Sequence, residues 1–112
     1  MKVDLLVPAL AGSETFRRSR LKFIPETSGC YVLTTFEKDV LYVGLTVNLR
    51  RRVNEHLESK TKTACTVHGR AIFVHWLESR EINKIERTWM NIHINAEGLL
   101  PILNNAYSPT ST

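Results

Sequence analysis

Apolar, β-prone residues fill positions 30–36 and 40–43, and only the polar triplet Glu37-Lys38-Asp39 separates the two runs. Runs this short, rich in branched and aromatic residues and joined by so little chain, read as an antiparallel hairpin. Each carries a tyrosine, Tyr31 within Gly29-Cys30-Tyr31 and Tyr42 within Tyr42-Val43-Gly44, with ten residues between them. Side chains alternate faces along a strand, so Tyr31, Leu33 and Thr35 share one face and Val40 and Tyr42 share a face of the partner. An even loop such as Glu37-Lys38 sets Tyr42 opposite Leu33, diagonal to Tyr31 and about 7–8 Å from it at Cα. Taken alone, two tyrosines in such a place are ordinary strand residues.

The chain around this hairpin is 112 residues long, room for one core and one domain. With 43% hydrophobic and 23% charged residues it has a globular composition. Lys and Arg outnumber Asp and Glu by 15 to 11, and the excess is clustered: Arg17, Arg18, Arg20 and Lys22 form one basic group, Arg50, Arg51 and Arg52 a second, and Lys60, Lys62 and Arg70 follow. Such clusters suit a polyanion such as nucleic acid, and equally a solvated surface. Cys30 and Cys65 are too few for a metal or disulfide framework and read as free thiols of a reducing compartment. No run approaches the roughly 18 apolar residues of a membrane span and no signal peptide is visible, so the expectation is an intracellular protein, cytoplasmic or nucleoid-associated.

In order along the chain, residues 1–22 are broken by Pro8, Gly12 and Ser13 and read as a basic N-terminal arm. Residues 23–107 are the expected domain and 108–112 a frayed tail. After Gly44 the period changes. Thr46 can cap a helix over residues 47–59, with Leu49, Val53 and Leu57 as its core stripe. Arg52 and His56, four apart, share one flank of that stripe, whereas Arg51 faces away and can pair with Glu55. By position alone His56 is a packed histidine and the Arg52 stem a cover over apolar surface. Residues 60–69 read as a loop, residues 70–77 as a third strand, and residues 80–95 as a second helix capped by Ser79, with the stripe Ile82, Ile85, Trp89 and Ile92 and Gly98 as its stop. Glu86 falls beside that stripe. Its carboxylate either reaches past it to water or needs a cation or metal ion to offset burial.

Gly29-Cys30-Tyr31 followed ten residues later by Tyr42-Val43-Gly44 resembles the paired tripeptides that name the GIY-YIG nuclease family. Arg52, eight residues after Gly44, resembles the family's catalytic arginine, and His56, twelve after it, the histidine or tyrosine of that helix. Glu86 resembles the metal-binding glutamate, and Asn104, three after Pro101, the closing asparagine. The resemblance runs from about Ile24 to Asn105, with Cys30 in place of the usual isoleucine.

It implies an α+β fold, α/β sandwich-like, with a small three-stranded antiparallel sheet flanked by helices. It also implies hydrolysis of phosphodiester bonds with one Mg²⁺ or Mn²⁺ per site. In that reading Glu86 holds the metal and Arg52 grips the scissile phosphate with its planar fork. Tyr31, with His56 or the metal-phosphate field to help, deprotonates water, while Tyr42 orients and Asn104 braces the site. Arg50, Arg51, Lys60 and Gly44 are expected along the substrate. The expected partner is nucleic acid, DNA before RNA, with a homodimer or a targeting partner as a source of specificity. A catalytically idle nucleic-acid-binding or interaction module that keeps the fold, or a purely structural role, is the competing reading.

Overall fold

A computed structural model describes residues 1–105, without the side chain of Asn105. The expected domain end at 107 and the tail 108–112 lie outside the described residues. Four strands form one antiparallel sheet in the order β1-β4-β2-β3: β1 is Gly12–Thr15, β2 Gly29–Thr34, β3 Val40–Thr46 and β4 Phe73–Glu78. The helices are α1 Leu49–Leu57, α2 Lys60–Thr63, α3 Ile82–Glu97 and α4 Ile102–Asn105, with 3-10 turns at Val3–Leu5 and Arg18–Phe23.

β2 lies inside the sheet and is covered on both sides, which is why all six of its residues are buried and why its sequence is a continuous apolar run. Its two faces feed two cores. Tyr31 and Leu33 join Tyr42, Leu49 and Val53 of α1, Leu103 of α4, and Phe16 and Ile24. Cys30 and Val32, on the other face, join Val43, Ile85 and Trp89 of α3, and Val3 and Leu6. Leu33 pairs with Tyr42, the register the hairpin pattern gives, and a bulge between Leu33 and Thr34 takes up the odd residue before Thr34 pairs with Val40. Lys38 turns the loop with φ of 72°. α3 stops where Gly98 takes a left-handed φ of 80° and donates its N–H to Ile94.

The structure departs from the sequence expectations in five places, each for a local reason. The sheet has a fourth strand: β1 lies within the expected arm and is held by pairing with β4, while Leu6 and Phe16 are buried. Asn48, not Thr46, caps α1; its Oδ1 accepts from the Arg51 N–H at 3.1 Å, and Thr46 Oγ1 accepts from the Asn48 N–H. Arg52, not Arg51, pairs with Glu55, at 2.7 Å. Residues 60–63, expected in a loop, close into α2 under a Ser59 cap that accepts from the Lys62 N–H. Ser79 does not cap α3 directly: its hydroxyl accepts from the Glu81 N–H, and the helix begins at Ile82.

Candidate active site

The pairing of β2 with β3 brings Tyr31 and Tyr42 onto one face with ring centroids 6.0 Å apart. Gly44 is directly opposite Tyr31 and makes that approach possible. A Cβ on residue 44 would lie 2.5 Å from Tyr31 Oη, 2.6 Å from its Cζ and 2.8 Å from Tyr42 Cε2. The glycine of the second tripeptide is therefore needed for space.

α1 crosses this face and lowers two side chains onto the tyrosines from the flank that Arg52 and His56 share. His56 is buried, with its ring 5.5 Å from that of Tyr31 and 5.2 Å from that of Tyr42, and its Nε2 lies 2.5 Å from Tyr31 Oη. Burial, with Arg52 and Lys62 adding positive charge, pushes the His56 pKa down to about 3. The imidazole is thus neutral at physiological pH, and its Nε2 shares a hydrogen bond with Tyr31 Oη. Burial and the neighbouring Tyr42 hold the Tyr31 phenol well above its ordinary pKa, and the nearby Arg52 guanidinium opposes that rise.

Arg52 is the member that reaches outward. Its side chain is 23% exposed and lines a cleft of about 230 Å³ with Arg51, Glu55, Leu45 and Ile82. Its Nη1 bonds Glu55, yet its Nε is buried with no hydrogen-bond partner among the described residues. Buried N–H groups left unpaired are rare, and this one belongs to a guanidinium that can grip an oxyanion.

Lys62 is the residue that the sequence did not single out. It is buried, and its Nζ lies 4.7 Å from the centroid of the Tyr42 ring, so α2 covers the tyrosines with a cation. Burial and the proximity of Arg52 lower its pKa. Nothing in the polar run 60–69 marks this lysine, because its place over the Tyr42 ring depends on a four-residue helix.

Asn104 reaches the same strand from α4. Its Oδ1 accepts from the Val43 N–H and its Nδ2 donates to the Val43 C=O, both at 3.0 Å, so it clamps the backbone between Tyr42 and Gly44. β3 is an edge strand, and Asn104 supplies the pairing that a neighbouring strand would otherwise give.

No hydrogen bond or ion pair joins Glu86 to the tyrosine cluster among the described residues. α3 packs on the opposite face of the sheet, and Glu86 follows by one turn Ile82, which shares the Arg52 cleft. Burial raises the Glu86 pKa and Arg87 partly offsets it, but no ion pair forms among the described residues. A half-buried carboxylate that no ion pair among the described residues holds suits a metal ion. No group of three or more His, Cys, Asp or Glu among the described residues forms a closed metal cage. The donors fit an ion held by one carboxylate and otherwise by water and a substrate phosphate, as Mg²⁺ commonly is.

The remaining candidates divide by what already occupies them. Arg50 is tied down, its Nε donating to Ile24 C=O at 2.8 Å and its Nη2 to Lys22 C=O at 3.3 Å, with Glu26 at 3.7 Å. Arg51 and Lys60 are exposed, Arg51 at the cleft and Lys60 at the start of α2.

A family model described as the GIY-YIG catalytic domain matches residues 27–95. The chain belongs to the GIY-YIG family. Among similar curated proteins, the UvrABC system protein C of Lactobacillus helveticus is 40% identical over 42 residues, 38% of this chain and 7% of that protein. The same protein of Prochlorococcus marinus is 34% identical over 50 residues, 45% of this chain and 8% of that protein. That of Parasynechococcus marenigrum is 42% identical over 53 residues, 47% and 8% respectively. The chain thus spans less than a tenth of the length of these relatives. Membership in the GIY-YIG family supports an endonuclease activity. No helix among the described residues is long and apolar enough to cross a membrane.

Proposed function

We propose that this GIY-YIG chain hydrolyses phosphodiester bonds in DNA with one Mg²⁺ or Mn²⁺ ion held by Glu86. The observation that carries the reading is the Tyr31–His56 hydrogen bond set beside Arg52, whose buried Nε has no partner. Phosphodiester hydrolysis needs a proton acceptor for the attacking water and positive charge on the phosphoryl oxygens, and this cluster offers both.

Tyr31 Oη takes the proton of the attacking water while its own proton passes to His56 Nε2, which stands 2.5 Å away and is neutral. Both groups are weak bases in the free protein, the phenol because burial raises its pKa and the imidazole because burial and two cations lower its own. The transfer therefore relies on the negative charge of the bound phosphate to raise the basicity of His56. Arg52 places two N–H groups on the phosphate, and Lys62 adds a second positive charge beside Tyr42. Tyr42 orients the phosphate or water, and Asn104 fixes its strand. Glu86 would hold the divalent ion, which would supply Lewis-acid polarisation of the phosphate and the leaving oxygen. Tyr31 and Tyr42 are enclosed, so the covering side chains must give way when substrate enters.

Incubating the protein with supercoiled plasmid and Mg²⁺, with EDTA as control, tests the reading. Nicked or linear product that depends on the ion supports it, and intact plasmid under both conditions sinks it in favour of an idle nucleic-acid-binding module. A panel of single-stranded, branched and RNA substrates then sets the preference.

A further inference from the structure

The basic groups of the sequence are sorted by their partners. Arg18 is bound to Asn54 and Glu58, at 2.8 and 3.3 Å, and fastens the Arg18–Phe23 turn to α1. Arg20 is bound to Glu14 at 2.9 Å, and Arg50 to Glu26 and two carbonyls. The guanidinium groups of Arg17 and Arg70 form no ion pair or hydrogen bond among the described residues. Both line one pocket of about 390 Å³. Phe16, Leu57, Ala71 and Ile72 make its floor, Thr15 and Thr63 its polar edge, and no carboxylate belongs to its lining.

This pocket is not the Arg52 cleft, yet it adjoins the same core. Phe16 and Ala71 belong to the apolar cluster that holds Tyr31 and Tyr42. Leu57 directly follows His56, and Thr63 directly follows Lys62. β1 and β3 are the opposite edges of a four-stranded sheet. At about 4.8 Å per strand they are about 14 Å apart. One phosphate recurs per about 3.4 Å along a stacked strand, so the gap amounts to about four nucleotides, and fewer if the strand is extended.

An apolar floor rimmed by two uncompensated guanidinium groups matches one chemistry better than others: a base with a phosphate on each side. A free anion would leave the floor unused, and an apolar peptide would leave the arginines without partners. We propose that the pocket is a second nucleic-acid subsite, seating one unstacked nucleotide of the substrate with its base on the Phe16–Leu57–Ala71 floor and its flanking phosphates on Arg17 and Arg70. The inference rests on the nucleic-acid reading above and gives that reading a preference for a strand with an unpaired base a few nucleotides from the scissile bond.

The test measures binding without cleavage. A labelled single-stranded 12-mer is titrated in EDTA at several salt concentrations with wild type and with R17Q/R70Q, and a single abasic position is then walked along the strand. Losing two phosphate contacts to a single strand should lower the slope of log affinity against log salt by about 1.4. One abasic position should weaken wild type about tenfold and R17Q/R70Q clearly less, because without its flanking phosphates held the nucleotide is no longer fixed over the floor. Equal salt slopes, an abasic effect that is the same in both proteins, or no binding by wild type would each overturn the subsite. Both arginines are exposed, so the double variant should fold; if it melts early, R17Q and R70Q are measured singly, each expected to lower the slope by about 0.7. Cleavage with Mg²⁺ is scored separately: its failure with the binding difference intact removes the nuclease reading alone, and the reverse removes the subsite alone.

Discussion

Gly44→Ala adds one methyl group at the most crowded point of the hairpin. The new Cβ would lie 2.5 and 2.6 Å from Tyr31 Oη and Cζ, well inside van der Waals contact. Yielding is difficult, because the Tyr31 ring is fully buried and its hydroxyl is held by His56 at 2.5 Å. On the other side Tyr42 Cε2 stands at 2.8 Å, and Asn104 fixes the backbone just before Gly44. Overpacking of this kind costs about 1–3 kcal/mol. With a urea slope of about 1–3 kcal/mol/M for a small domain, that is a fall of roughly 0.3–3 M in the midpoint, with an unchanged slope. The displaced Tyr31 should also lose its short bond to His56, so cleavage should fall further than stability. Gly98→Ala is the control. It strains a left-handed φ of 80° with no atom within 4 Å of the new Cβ, and should cost about 1–2 kcal/mol without touching activity. Urea denaturation and single-turnover cleavage of both variants read the two effects. Gly44→Ala within 0.5 kcal/mol of wild type and fully active would refute the argument that this glycine is there for space.

Three further outcomes follow from the site. Arg52→Lys keeps the charge but loses the planar fork, so single-turnover cleavage should drop about 10²–10³-fold, while Arg51→Ala should be mild; the reverse ranking would misplace the helix register. His56 and His75 have pKa values pushed down to about 3 and about 4, both first by burial, against about 6.5 unfolded. Their contribution to stability is complete above pH 6.5 and is lost as pH falls toward 3, a few kcal/mol in order of magnitude; a denaturation midpoint that is flat from pH 7 to pH 4 would contradict it. Asn104→Ala leaves the Val43 N–H and C=O on an edge strand without partners and should cost about 1–3 kcal/mol by urea denaturation, with amide exchange rising at Val43; unchanged exchange there would remove the clamp.

How far the sequence revealed this molecule depended on whether the signal was local. The Leu33–Tyr42 register was legible, since a short polar loop and a period of two leave few alternatives. So were the stripe of α1 and the Gly98 stop, which are properties of a single helix. β1 was not: Gly12-Ser13-Glu14-Thr15 has no apolar alternation, and it becomes a strand because β4 offers an edge. The start of α1 was misplaced by two residues because Thr46 and Asn48 are both capping types and only the backbone geometry chooses between them. The ion pair of Glu55 went to Arg52 because i,i+3 and i,i+4 partners are equally near on a helix, and the half-buried guanidinium has fewer other choices. Of the expected site, the geometry brings Tyr31, Tyr42, Arg52 and His56 together and ties Asn104 to their strand. Glu86 was legible as an odd carboxylate beside an apolar stripe, but its distance from the tyrosines depends on how α3 crosses the sheet, which no periodicity encodes.

The relation of Glu86 to the rest is therefore the sharpest test of the account. Cleavage of plasmid DNA by wild type and by Glu86→Gln, each titrated with Mg²⁺ and each checked for unchanged folding by circular dichroism, decides it. Ion-dependent nicking by wild type and none by Glu86→Gln at any Mg²⁺ concentration, with affinity for the DNA retained, is the predicted result. Full activity in Glu86→Gln, or nicking by wild type that persists in EDTA, would contradict it.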